Sequence, residues 1–201
     1  MHAASDSPVV PLSDREVSAE ILQSCRAGDR DAFRVLYDCY KDRVYSISLY
    51  FFHGDQSLAS DVTQQVFLKL ITTIGQFKGD AAFSTWLYRL VMNACMDAAR
   101  RRKSAGPTVD HSRLAELANP SSQEDDYARA QTAHSVLQAV SGLPPKRRLA
   151  VLLRYFDDLS YEQMAQVLKC SAGTVASRLS RGHKMLADRL GGLIRSRDSH
   201  V

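Results

Sequence analysis

Apolar residues recur along the chain at three- and four-residue steps in several long runs, and strand-type alternation is nearly absent. In the first of these runs Phe33, Leu36, Tyr37, Tyr40, Val44 and Ile47 form one helical stripe, opened by Gly28-Asp-Arg-Asp31 and broken at Gly54-Asp55. Val62, Val66, Leu70 and Ile74 fall at four-residue steps in a helix predicted over Asp61 to Ile74. Gly75 to Ala82 reads as a loop, and Phe83, Leu87, Leu90, Val91, Ala94 and Ala98 predict a long helix from Phe83 to Arg102. Further on, Leu149, Leu152, Leu153 and Phe156 mark a supporting helix. Ser160-Tyr-Glu-Gln163 is a capping box that opens a short helix burying Tyr161, Met164, Ala165 and Leu168. In the last helix Val175, Leu179, Gly182, Leu186 and Leu190 lie within an arc of about 80°. Only Lys169-Cys-Ser171 separates these two helices, as a helix-turn-helix requires.

Composition shifts between the two helical blocks. Pro107, Asn119-Pro-Ser-Ser122 and Glu124-Asp-Asp126 have linker character, with one short helix expected around Arg113 to Ala118. Asp110, Glu116, Glu124, Asp125 and Asp126 outweigh Arg113 and Arg129 in that stretch, so it is net negative. The expected fold class is therefore all-α: two small helical domains joined by a flexible acidic linker. The expected boundaries are a disordered leader over 1–16, a first domain over 17–103, the linker over 104–131, a second domain over 132–190 and a tail over 191–201.

Two helix faces carry candidate chemistry. On the last helix Thr174, Ser177, Arg178, Arg181 and Lys184 share an arc opposite the apolar stripe, and Ser171 is a good N-cap beside them. Donors and cations gathered on one side of a recognition helix can meet phosphates and base edges of duplex DNA together. The bland alternative is a solvated basic face. On the helix from Phe83, the residues Trp86, Arg89, Asn93, Asp97 and Arg100 form a second stripe that runs into Arg100, Arg101, Arg102 and Lys103. An aromatic ring, an amide and several cations in line suit single-stranded DNA. Ordinary core packing competes for Trp86, and a helix C-terminus favoured by the dipole competes for the basic cluster.

Charge and side-chain inventory narrow the remaining classes. Net charge is only +4, so nucleic-acid affinity has to come from local patches. The four cysteines, Cys25, Cys39, Cys95 and Cys170, show no CxxC or Cys/His spacing, which reads as reduced thiols on helices in a cytoplasm. No apolar run is long enough for membrane insertion, and Met1 to Ser13 lacks the basic start and apolar centre of a signal peptide. The six histidines share no motif with an acid, Ser or Cys, and neither a Walker-type loop nor HExxH occurs. No enzyme, metal or cofactor is expected.

Longer motifs carry a more specific resemblance. Asp61-Val-Thr-Gln-Gln-Val-Phe-Leu-Lys69, Phe77-Lys-Gly-Asp-Ala-Ala-Phe-Ser-Thr-Trp-Leu-Tyr-Arg-Leu90, Asn93 and Arg100 to Lys103 resemble region 2 of bacterial sigma factors of the extracytoplasmic-function group. Leu143-Pro-Pro-Lys-Arg-Arg148, Leu159-Ser-Tyr-Glu-Gln-Met-Ala165 and Gly173-Thr-Val-Ala-Ser-Arg-Leu179 resemble their region 4. Order and spacing both match from about Gln23 to Leu190. The resemblance implies a promoter-recognition subunit that binds core RNA polymerase through its clamp coiled coil and flap, reads two promoter elements and helps open DNA in the cytoplasm. It assigns Asp61, Gln64, Gln65 and Phe67 to the clamp. Phe77, Lys78, Gly79 and Asp80 would build a pocket for a base flipped from the start-proximal element, with Trp86, Arg89 and Asn93 beside it. Arg100 to Lys103 would hold the duplex just upstream, and Ser171, Thr174, Ser177, Arg178, Arg181 and Lys184 would read the upstream element. An anti-sigma factor is the further partner it implies. The chain departs from the family pattern at Gln65, where Glu is usual, at Ala176, where a basic residue is common, and at His183, where arginine is common. The competing function is a polymerase-independent helix-turn-helix regulator, which leaves Phe77 to Asn93 and the basic cluster without a role.

Overall fold

The computed structural model describes residues 17–104 and 124–198, and their regular structure is entirely helical. A first lobe holds α1 (Ala19–Arg26), α2 (Arg30–Phe51), α3 (Gln56–Thr73), a 3-10 turn (Ile74–Gln76) and α4 (Phe83–Ser104). A second holds α5 (Glu124–Ser141), α6 (Pro145–Asp157), α7 (Tyr161–Leu168) and α8 (Ala172–Asp198). The expected leader, the linker stretch 105–123 with its short helix, and positions 199–201 lie outside the described residues.

Local signals explain most of the helix ends. Asp29 caps α2 by accepting from the amides of Asp31 at 2.8 Å and Ala32 at 3.3 Å, and Asp55 caps α3 through the Leu58 amide at 3.0 Å. Pro145 opens α6, where its missing N–H costs nothing. Asp158 and Lys169 end α6 and α7 in the left-handed region, both at φ 47°. Three boundaries differ from expectation. Helix α3 begins at Gln56 rather than Asp61, because Asp55 supplies an N-cap just past the Gly54 break. Helix α5 begins at Glu124, within the stretch of linker composition. Helix α8 continues to Asp198, through most of the expected tail.

Buried apolar residues of both lobes form one continuous cluster. Leu36, Tyr40, Val44 and Ile47 of α2 meet Val62, Val66 and Leu70 of α3 and Leu87, Tyr88 and Val91 of α4, all buried. In α6 the consecutive residues Leu149 to Leu153 are all buried, as a helix with neighbours on every side requires. Tyr37 departs from the expected stripe. It stands 44% exposed at the lobe's edge, its ring edge-on to Phe67 at 4.7 Å. Cys25, Cys39 and Cys95 lie on helices, whereas Cys170 occupies the turn between α7 and α8. Burial pushes the Cys95 thiol up to about 12, so it is inert at neutral pH.

The two lobes pack on each other. The Tyr50 and Phe156 rings meet at a tilt across the boundary, 5.0 Å between centres, and Arg89 Nε on α4 donates to the Gln166 carbonyl on α7 at 3.0 Å. The main tie is Arg148, only 6% exposed. Its guanidinium donates to Ser141 O and Leu143 O in its own lobe and to Phe51 O at the end of α2, and it lies 5.2 Å over the Phe51 ring. Nη1 also stands 3.1 Å from His53 Nε2. Burial, with Arg189 second, lowers this group to about 10, which leaves it charged at pH 7.

Candidate nucleic-acid and polymerase interfaces

The recognition helix α8 is seated by Val175 and Leu179, both buried, and by Gly182, whose added Cβ would come 3.1 Å from Val151 Cγ2. That seating turns Thr174, Ser177 and Arg178, half-buried, and Arg181 and Lys184, exposed, away from α6. Ser171 Oγ accepts from the Thr174 amide at 3.2 Å and lies 2.9 Å from Thr174 Oγ1, so these two hydroxyls already serve the helix start. Arg178 Nη1 points back to Cys170 Sγ at 3.5 Å. Beyond them His183 Nε2 meets the hydroxyl of Tyr155 at 3.2 Å, a pair no sequence pattern announced. The surface left on this face of α8 is thus centred on Ser177, Arg178, Arg181 and Lys184.

The expected single-strand stripe is only partly displayed. Asn93 is exposed, whereas Trp86 is half-buried beside Phe77 at 5.7 Å and Phe83 at 5.9 Å. Arg89 is engaged by the other lobe through Gln166 O. Phe77, expected to line a base pocket, is 8% exposed and packs under Trp86 and Phe83. It forms the floor of the loop, whose exposed residues are Lys78, Gly79 and Asp80. Gly79 sits at φ 86°, a turn that a side chain would strain.

The basic cluster is tied down rather than loose. Arg100 pairs with Asp97 at 3.0 Å, Arg102 with Asp55 at 3.5 Å, and Arg101 Nη2 donates to Gln65 Oε1 at 3.2 Å; Lys103 is exposed. The two ion pairs are solvent-accessible and salt-screened and the third contact is to a neutral amide, so a phosphate can displace these partners at small cost. Gln65 therefore links two sets of residues that the sequence treated separately.

On α3, Asp61, Gln64 and Gln65 face solvent, but Phe67 is 7% exposed beneath Tyr37. In its place the surface shows Leu68 at 58% and Ile71 at 51% exposure, lining a groove with Tyr37, Lys41, Tyr45 and Gln64. The signal for them was present: both fall off the Val62, Val66, Leu70 stripe and follow Gln64 at helical steps of four and seven. Two large exposed aliphatic residues beside a groove make this face a candidate interaction surface. Among the described residues no cluster of His, Cys, Asp or Glu could hold a metal, and no helix is long and apolar enough to cross a membrane.

Comparison with known proteins bears on these faces. Residues 36–105 match the family model for Sigma-70 region 2, and residues 133–186 match that for Sigma-70, region 4. The RNA polymerase sigma-H factor of Pseudomonas aeruginosa is 32% identical over 189 residues, which is 90% of this chain and 97% of that protein. The ECF RNA polymerase sigma-E factor of Escherichia coli is 31% identical over 196 residues, covering 92% of this chain and all of that protein. Among solved structures, CnrH in complex with the cytosolic domain of CnrY superposes with a TM-score of 0.64 at 21% identity, covering 86% of this chain and 96% of that one. The sigma factor RpoE of Bartonella quintana, in complex with the anti-sigma factor NepR, gives 0.62 at 20% identity, covering 79% and 96%.

Proposed function

The chain belongs to the extracytoplasmic-function group of RNA polymerase sigma factors, and from that premise we propose a division of labour between its two lobes. The first lobe docks core polymerase through the outer face of α3, with Asp61, Gln64 and Gln65 as polar contacts and Leu68 and Ile71 as apolar ones. The loop with Lys78, Gly79 and Asp80 captures a base from the opened start-proximal element, and Asn93 and Trp86 stand beside it. Capture returns the few kcal/mol that unstacking costs. Arg100 to Lys103 neutralise phosphates of the adjoining duplex. The second lobe reads the upstream element with Ser177, Arg178, Arg181 and Lys184.

The observation that carries this reading is the pairing of a seated recognition helix with an exposed Asn93 and loop on the other lobe, in one chain. A polymerase-independent regulator would need only the first of these. The work is done in the cytoplasm, where core polymerase is, and by binding rather than by catalysis. The reading includes an anti-sigma factor that holds the protein inactive.

Purified protein added to core polymerase is expected to direct run-off transcription from promoters selected out of a random-sequence pool. Binding to DNA without any start-site selection would overturn the proposal. Arg178→Ala is expected to weaken upstream-element binding by about 1–3 kcal/mol and to relax preference at particular positions, as loss of a base contact does. A uniform loss across all sequences, measured by competition binding, would reassign Arg178 to a phosphate.

A further inference from the structure

We infer that Arg26, the last residue of α1, is a positioning residue for base capture: it pins the loop that takes the flipped base. The inference rests on the proposed role of that loop. Between the 3-10 turn and α4 the chain runs through residues 77–82, of which Lys78, Gly79 and Asp80 are exposed. A loop that only partly pre-exists in its working shape loses affinity, because ordering it on binding opposes capture.

What fixes this loop is concentrated at its first residue. Arg26 Nη2 donates to the carbonyl of Phe77, and the same guanidinium lies 5.5 Å from the centre of the Phe77 ring. On its other sides that ring meets Phe83 at 5.5 Å and Trp86 at 5.7 Å, both in the first turn of α4. Phe77 is therefore held between α1 and α4, and Gly79 turns the chain at φ 86° only two residues later. The arrangement needs an arginine. A planar guanidinium can cover a ring while an edge N–H reaches a carbonyl, and an ammonium cannot do both in one plane.

The plainer role for Arg26 is a cation in the last turn of α1, where the helix dipole favours it. The two roles separate experimentally. Arg26→Lys keeps the charge at the helix end and loses the fork; Arg26→Ala loses both. Each variant is assembled with core polymerase and tested on a promoter that the wild-type holoenzyme has selected from a random pool. Permanganate reactivity of unpaired thymines reports opening, binding of an upstream-element duplex reports the other lobe, and thermal melting reports the fold.

Arg26→Ala is expected to reduce open complexes about tenfold, the loss of one hydrogen bond from a charged donor, and to loosen base preference at the captured position. Upstream duplex binding and the melting curve stay near wild type, and Arg26→Lys recovers only part of the opening. Normal opening by Arg26→Ala would overturn the proposal, and so would full recovery by Arg26→Lys. Asn93→Ala is the companion control. If it opens poorly while Arg26→Ala is normal, the Arg26 proposal falls alone. If both open normally, or if no promoter can be selected, base capture by this loop falls with it.

Discussion

Arg148→Ala is expected to destabilise the protein by about 3–4 kcal/mol, most of what one substitution takes from a domain of this size. The guanidinium is a buried charge with no carboxylate partner among the described residues; backbone carbonyls accept from Nη1 and Nη2, while Nε is buried without a partner. Removing it strands Ser141 O, Leu143 O and Phe51 O, each at about 1–3 kcal/mol when left dry. Two effects moderate the sum: water can enter the void, and a charge lowered to about 10 by burial is no longer held out of solvent. Arg148→Met, which refills the volume without donors, is expected to recover less than half of the loss. Arg89→Ala is the contrast. It also removes an interlobe bond to a carbonyl, at Gln166, but from a half-exposed side chain, and should cost about 1 kcal/mol or less. Urea melts measure all three. Amide exchange at the end of α2 should rise in Arg148→Ala because the tie to Phe51 O is gone. Stability within about 1 kcal/mol of wild type would show that other donors serve those carbonyls.

Arg148 also shows where sequence reading runs out. It was visible as part of Leu143-Pro-Pro-Lys-Arg-Arg148, but its acceptors lie in two distant stretches of chain, and no periodicity joins Phe51 to Ser141 and Leu143. The helices themselves were legible because their determinants are local: the start at Gly28 to Asp31, the Ser160 to Gln163 box, and stripes at three- and four-residue steps. A helix boundary was misplaced where one residue serves two helices, as at Asp55, which reads as a break after the second helix and also caps the third. The candidate faces were read as arcs on a wheel, and an arc says nothing about what a neighbouring helix covers. Phe67 and Phe77 were placed by motif on working surfaces, but each ring lies under another aromatic, Tyr37 in one case and Trp86 in the other. Leu68 and Ile71 were passed over for the converse reason. A stripe analysis collects apolar residues that fit the core, and these two matter because they do not.

Those two residues carry the second large effect. Ile71→Lys is expected to weaken binding to core polymerase by about 2–4 kcal/mol, roughly thirty- to a thousand-fold, as loss of an apolar anchor at an interface centre does. Leu68→Lys should act alike, and the pair together should exceed either one. The fold should tolerate both, since Ile71 is 51% and Leu68 58% exposed, and a cation near the C-terminal end of α3 is favoured by the helix dipole. Titrating labelled protein with core polymerase measures the affinity, and Arg181→Ala serves as the control that keeps polymerase binding while losing upstream-element contact. Affinity within about threefold of wild type in Ile71→Lys would remove α3 from the interface, since 0.7 kcal/mol or so is less than one anchor supplies. The apolar pair is expected to dominate here for a reason specific to this chain. Position 65 is an uncharged glutamine whose side-chain oxygen already accepts from Arg101 at 3.2 Å, so Asp61 is the single formal charge among the three proposed polar contacts, and burial of Leu68 and Ile71 has to supply the rest.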